Sequence, residues 1–275
     1  MENLWKGLKE HKTFRFTTLL VVLLIALVVL APVIASYNPL EAVMKDANQA
    51  PSMAHLFGTD KLGRDVLSRI LYGGAYSLSS VLALVAIIFC VGTFLGLVAG
   101  YFGGIIDTVI MRIADMMISF PGVILAIAIA GIMGGSLVNA MIALTAVTWT
   151  KYARLSRSMV LKIRKRDFVD AAIVSGGTSS HILWSHIMPN VVPILVITAV
   201  SDIGAMMMEL AGLSFLGFGS QPPAPEWGLM LNEGRQQLQT APWLMVFPGL
   251  AIFISVVIFN LWGDALRDVL DPRDN

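Results

Sequence analysis

Charge is scarce in this sequence. Only 13% of residues are charged, 56% are hydrophobic and the mean hydropathy is +0.77, so a water-soluble globule of 275 residues could not cover itself with polar surface. The bilayer is the solvent that fits. Net charge is +1, from 19 basic and 18 acidic residues, which removes the global field that a nucleic-acid partner would need. Cysteine is nearly absent: Cys90 stands alone in an apolar run, so neither a disulfide framework nor a cysteine metal site is available. No G-x-x-x-x-G-K-[ST], H-E-x-x-H or G-x-S-x-G pattern occurs, and His11, His55, His181 and His186 all lie outside the apolar stretches. No residue is therefore assigned to catalysis, and none to a metal.

What is present is long apolar runs. A hydrocarbon core of about 30 Å needs about 20 helical residues. The runs predict an all-α polytopic membrane protein of about six transmembrane helices, near 16–36, 78–100, 108–133, 137–158, 190–216 and 243–263. The third and fourth come from one uncharged stretch, Met116 to Thr150, divided at Gly134-Gly135-Ser136. The fifth counts as a span despite Asp202 and Glu209. Residues 1–15 form an N-terminal segment, 37–77 an extracytoplasmic segment, 78–265 the core, 161–188 a cytoplasmic loop and 266–275 a tail.

Orientation follows from the distribution of Lys and Arg. With the N-terminus cytoplasmic, Lys6, Lys9, Lys12, Arg15, Arg112, the basic cluster from Lys151 to Arg166, Arg267 and Arg273 face inward. Only Lys45, Lys61, Arg64, Arg69 and Arg235 face outward, so both termini are expected in the cytoplasm. The first run, ending in Val33-Ile34-Ala35, also has the form of a signal peptide, but it is longer than a usual signal core and further spans follow it.

Within the second span Gly92, Gly96, Gly100 and Gly104 form a small-xxx-small stripe that invites close helix packing. The loop between spans four and five reads as two short helices. Residues 167–174 form the first, Gly176-Gly177 cap its C-terminus, Thr178 caps the second, and Pro189 closes the unit. In the second helix Ile182, Leu183, His186 and Ile187 follow helical spacing, presenting a partly apolar face to a partner or to the membrane surface.

Asp170-Ala171-Ala172-x3-Gly176 with Met188-Pro189 downstream resembles the E-A-A-x3-G…L-P signature of bacterial ATP-binding-cassette import permeases, with Asp for Glu and Met for Leu. Similar matches cover nearly the whole chain. They include Gly58-Thr59-Asp60-x2-Gly63-Arg64-Asp65, Arg112-x2-Asp115-x3-Ser119-Phe120-Pro121, Leu213-Ser214-Phe215-Leu216-Gly217, Pro225-Glu226-Trp227-Gly228, Phe247-Pro248-Gly249 and Gly263-Asp264-x2-Arg267-Asp268-x2-Asp271-Pro272. Together they resemble the second permease of the dipeptide, oligopeptide and nickel importers.

That resemblance implies a type I importer permease (MetI-like) fold in a bacterial inner membrane. It implies a heterodimer with a second, similar permease, two ATPase subunits that carry ATP and Mg, and an extracytoplasmic substrate-binding protein. No cofactor is expected in this chain. Asp170, Ala171, Ala172, Gly176 and Pro189 would couple the loop to the ATPase, as a rigid pair bounded by glycines and a proline can transmit a push.

Ionisable residues inside a span are expensive and mark paths or partners. Asp202, Met206 and Glu209 share one helix face. They either line a cargo path or hydrogen-bond neighbouring spans. Arg112 and Asp115 are expected to neutralise each other. Asp60, Arg64 and Asp65 suit helix capping and pairing with a neighbouring subunit. Outer loop 218–242 is a candidate landing surface for the binding protein. The stretch around Asp202 and Met206 resembles the nickel branch more than the peptide branch, which implies nickel or a metal chelate as cargo, with dipeptides or oligopeptides close behind. An ion-gradient-driven transporter or channel using Asp202 and Glu209 is the alternative, and a structural scaffold is a third reading that leaves the loop signature unexplained.

Overall fold

A computed structural model describes residues 11–270. Its elements are helical, and among the described residues the only β pairing is an isolated antiparallel bridge between Thr59 and Asp65. In chain order they are α1 (Lys12–Val29), α2 (Ala31–Ile34), α3 (Val66–Phe102), α4 (Gly104–Ile118), α5 (Gly122–Met133), α6 (Leu137–Ile163), α7 (Asp167–Val174) and α8 (Ser179–His181). A π-turn over Ile182–Ile187 then leads into α9 (Met188–Phe215), followed by α10 (Trp227–Gly234) and α11 (Trp243–Leu270), with 3-10 turns at Met44–Asp46 and Arg235–Gln237. Lys6, Lys9, Arg273 and the Asp271-Pro272 end of the last motif lie outside the described residues.

Among the described residues, four helical stretches are long and apolar enough to cross a bilayer: Lys12–Val29, Val66–Phe102, Ser179–Phe215 and Trp243–Leu270. A fifth crossing arises when α4 and α5 count as one broken span. The stretch expected as a single helix over 108–133 bends by 93° between them. Pro121 causes the break, since it has no N–H to donate and pushes Phe120 out of the helical region. The expected span 137–158 is α6, with 27 residues. Its second half carries Lys151, Arg154, Arg157 and Lys162, and that charge keeps it out of the four. The first crossing stops at Val29 rather than Ser36, because Pro32 opens the separate turn α2.

The chain divides into two compact units, one of Met1–Ala83, Ile129–Ile142 and Val200–Asn275, the other of Leu84–Ala128 and Ala143–Ala199. In the first, α1 packs on α11 through buried Phe14, Ala265, Leu266 and Val269, and the Trp262 indole N–H donates to Thr18 Oγ1 at 3.1 Å. In the second, the glycine stripe carries the packing between α3 and α6. A Cβ on Gly92 would sit 2.5 Å from the Trp149 carbonyl oxygen, one on Gly96 2.3 Å from that of Ala153, and one on Gly100 2.8 Å from Val160 Cβ. In lipid, where apolar burial gives little driving force between helices, such close backbone contact is what holds them together. Gly104 departs from the stripe: it has φ +58, open space beside it, and begins α4. Asp107 and Arg157, then Asp115 and Arg154, tie α4 to α6.

Candidate functional site

The loop between α6 and α9 is an elbow whose local geometry follows from its residues. Asp167 and Asp170 occupy the first turn of α7, where a carboxylate suits the positive end of the helix dipole. At the other end Ser175 N–H donates to Ala171 O, Gly176 N–H to Ile173 O and Gly177 N–H to Ala172 O, each at 3.0 Å. Gly176 takes φ +82, the left-handed region that ends many helices and that a side chain resists. No atom lies within 4 Å of where its Cβ would be, so the residue is needed for conformation and not for space. Thr178 caps α8, its hydroxyl oxygen accepting from the His181 N–H at 3.3 Å.

Two expectations about this elbow are corrected. Pro189 does not close the second helix, because the chain stays helical from Ser179 to Phe215. The π-turn at Ile182–Ile187, just before the proline, changes the hydrogen-bond register where an unbroken α-helix would have clashed. The apolar face of Ile182, Leu183 and Ile187 is not presented outward either: they are buried, with Val169, inside the unit. The large apolar side chains left exposed are Phe168, Ile173, Val174 and Trp184, with Asp170 and Ala171 beside them. Ala172 is half-buried.

In the other unit, Asp202, Met206 and Glu209 stand on one face of α9. Met206 is buried, as is Met207, and Met208 is exposed. The two carboxylates are half-buried, and neither is without a partner.

The Gly58 to Asp65 motif builds a different structure. Gly58 and Gly63 take φ +75 and +74, and the Gly63 Cβ position lies 1.9 Å from the Val43 carbonyl oxygen, so the loop closes on itself only with glycine there. Thr59 is fully buried; its hydroxyl accepts from Gln49 N–H at 2.8 Å and donates to Asp46 O, and its own carbonyl accepts from the Trp243 indole at 3.2 Å. Asp65 caps α3, accepting from Ser68 N–H at 2.8 Å, and its other oxygen meets His55 Nδ1 at 2.9 Å. Arg64, 2% exposed, holds Asp60 at 2.6 Å and both oxygens of Glu233 at 3.1 and 3.2 Å, while Arg69, 1% exposed, donates to Glu233 at 2.7 Å. Of the two roles expected for Asp60, Arg64 and Asp65, Asp65 takes the helix cap, and pairing with a neighbouring subunit is corrected, since all three are buried and matched within this chain. Arg112 and Asp115 also fail to pair as expected, for Asp115 turns to Arg154 across the helix contact, and Arg112 is exposed.

Sequence reasoning gave no site role to Arg69, counted only among the outer cations, to Glu226, quoted only within a motif, or to Glu233, which it did not single out. Glu226 N-caps α10, accepting from Gly228 and Leu229 N–H at 2.8 Å, and Ser77 Oγ lies at 3.4 Å. Burial drives its carboxyl above the ordinary range, with the hydrogen bonds from Gly228, Leu229, Ser214 and Ser77 opposing it. The capping pattern could have found Glu226. No local pattern could have found Glu233, whose arginines are 164 and 169 residues away.

The chain is similar to known proteins along most of its length. Residues 92–274 match the family model described as the binding-protein-dependent transport system inner membrane component, and residues 1–51 match that of the N-terminal transmembrane domain of oligopeptide transport permease C. The chain is 42% identical over 269 residues to the dipeptide transport system permease protein of Alkalihalophilus pseudofirmus, covering 98% of this chain and 88% of that one. It is 43% identical over 270 residues to the glutathione transport system permease protein of Pectobacterium atrosepticum, covering 98% and 90%. With the nickel transport system permease protein of Escherichia coli K12 it shares 41% over 263 residues, covering 94% and 95%. Among solved structures, the inward-facing MetNI methionine ABC transporter superposes with a TM-score of 0.53 at 20% identity, over 72% of this chain and 96% of that one, a likeness of fold. The chain belongs to the family of binding-protein-dependent transport system inner membrane components, the permease subunits of ATP-binding-cassette importers.

Proposed function

We propose that this chain forms half of a translocation pathway with a second, homologous permease, and that the elbow between α6 and α9 is the socket for an ATPase subunit. Two such ATPases hold ATP and Mg, an extracytoplasmic binding protein delivers cargo, and both termini face the cytoplasm, as the positive-inside count requires. The observation that carries the reading is the elbow itself. Val169, Ile182, Leu183 and Ile187 anchor one side in the unit, and Phe168, Ile173, Val174 and Trp184 stay uncovered on the other. An anchored helix pair with an exposed apolar side receives a partner and passes on its displacement. The cargo is a nickel ion, a metal chelate, or a dipeptide or oligopeptide; the relatives are named for dipeptide, glutathione and nickel transport. Asp202, Met206 and Glu209 are the side chains of this chain that would meet it, their half-buried carboxylates supplying the negative charge that a cation or a peptide ammonium group seeks.

Reconstitution in proteoliposomes tests the reading. Uptake requires the second permease, the ATPases and ATP, and Gly176→Val abolishes uptake while the chain still assembles. Uptake by the chain alone, or full uptake by Gly176→Val, rejects it. Calorimetric titration of the cognate binding protein with Ni²⁺, metal chelates and short peptides identifies the cargo. If Asp202→Asn with Glu209→Gln leaves uptake unchanged, neither carboxylate selects it.

A further inference from the structure

The elbow holds a feature that coupling does not use. His181 closes α8, His186 lies in the π-turn, and their ring centroids are 5.5 Å apart with planes at 85°. Both reach solvent, His181 exposed and His186 half-buried. In an α-helix two residues five apart point about 140° away from each other; the wider π-turn, with its i→i+5 hydrogen bonds, brings them to one side. Such turns occur disproportionately at functional sites. Two imidazoles binding one first-row metal at a metal–nitrogen distance of about 2.1 Å place their ring centroids roughly 5 Å apart at a tetrahedral angle. The observed separation needs only a small side-chain adjustment to reach that value.

Neighbouring groups already orient this pair. Ser185 Oγ lies 3.3 Å from His181 Nδ1, as outer partners do beside the second ring nitrogen of metal-binding histidines, and Asn190 Nδ2 donates to the His186 backbone carbonyl at 2.6 Å, which holds the turn rather than the ring. His55, by contrast, is buried against Asp65. Among the described residues no group of three or more His, Cys, Asp or Glu could hold a metal, so solvent would complete the coordination.

We propose that His181 and His186 chelate one divalent first-row transition ion, with Cu²⁺ and Ni²⁺ bound more tightly than Mn²⁺ and with Mg²⁺ refused, as borderline imidazole donors dictate. The site stands whether or not the elbow seats an ATPase. The test is titration of the purified, untagged chain in detergent with Cu²⁺, followed by electron paramagnetic resonance. One Cu²⁺ per chain with nitrogen coupling from two imidazoles is expected. His181→Ala and His186→Gln should each weaken binding about tenfold or more, with His11→Ala neutral and melting unchanged in all three. Unchanged Cu²⁺ binding in both elbow variants, or equal competition by Mg²⁺, overturns the site.

A separate observation in the other unit points to a second ligand. Among the described residues Arg69 Nη1 and Gln237 Oε1 are buried without a hydrogen-bond partner. Both residues line one cavity of about 20 Å³, with Asp60, Arg64 and Glu233 around it. About 10–15 Å³ suffices for one water. A guanidinium only donates and an amide oxygen only accepts. Chloride would satisfy the first alone and a cation the second alone, whereas water satisfies both. Asp60 Oδ2, 3.8 Å from Arg69 Nη1, offers a further acceptor. We infer that one resident water bridges Arg69 and Gln237 and completes the buried charge cluster. A structure of the full chain at a resolution that shows solvent should place it within hydrogen-bond reach of both atoms, and Gln237→Leu should lower the melting temperature. Clear density for the side chains with none between them, or melting unchanged in Gln237→Leu, overturns the inference.

Discussion

The Gly58–Asp65 motif and the elbow make equally specific patterns in the sequence and opposite uses of them. The motif keeps its charges inside the fold: Arg64 and Arg69 meet Asp60 and Glu233, and Asp65 meets His55, leaving only Arg69 Nη1 short of a hydrogen bond among these charges. The elbow withholds its side chains, leaving Phe168, Ile173, Val174 and Trp184 in the open and fixing only its backbone. A motif can thus be retained for the fold it closes or for the surface it offers, and burial tells which. Substitution in the first should be felt as stability, and in the second as lost transport by a folded chain.

The sharpest way to break that comparison is Glu233→Ala. It takes the 2.7 Å acceptor from Arg69 and one of two carboxylates from Arg64, arginines that are 1% and 2% exposed, and removing one partner of a buried ion pair costs about 3–5 kcal/mol. Thermal unfolding in detergent should show a large fall in melting temperature or no folded protein at all. Glu233→Gln keeps the shape and should fall less. Next comes Gly96→Leu, whose side chain would enter space where even a Cβ lies 2.3 Å from the Ala153 carbonyl oxygen. Overpacking of this kind costs about 1–3 kcal/mol, read in the same melt. Gly104→Leu is its control, since nothing lies within 4 Å there and only the positive φ opposes it.

Gly176→Val tests the other region. A β-branched side chain at φ +82 costs about 1–2 kcal/mol, which an exposed turn absorbs locally by changing its angle. Melting should move little while uptake by the reconstituted importer is lost. A variant that melts early and still transports would reverse the roles assigned to the two regions.

Much of this was legible because it is local. The break at Gly134, the Gly176 turn and the Thr178 cap depend on residues within a few positions of one another, and the glycine stripe declared a packing face without naming the partner. Charge counting passed over Pro121, although a proline inside an apolar run is itself a signal to break it. Pro189 misled in the opposite sense, because a π-turn three-dimensionally repairs what the residue forbids in an ideal α-helix. The pairing of Asp115 with Arg154, 39 residues away, and the reach of Glu233 to both arginines depend on which helices meet. Spacing along one helix favoured Arg112 for Asp115, and only tertiary packing decides otherwise.

The smallest effect concerns Glu226, which is buried like the arginine cluster but has no cation in its hydrogen-bond set. Burial raises its carboxyl above the ordinary value of 4.5. A raised folded-state value means that the folded chain holds this proton more tightly than the unfolded chain does. Its contribution to stability is therefore full below 4.5 and is lost as pH rises through the raised value. Glu226→Gln cannot titrate, so the melting temperature of the wild type minus that of the variant should decline with pH across that window and level off above it. Taking the difference cancels the other carboxylates, which titrate in both proteins. A flat difference would mean that the four donors around Glu226 stabilise its charge as fully as water does, making it a second satisfied cluster of the kind built around Arg64.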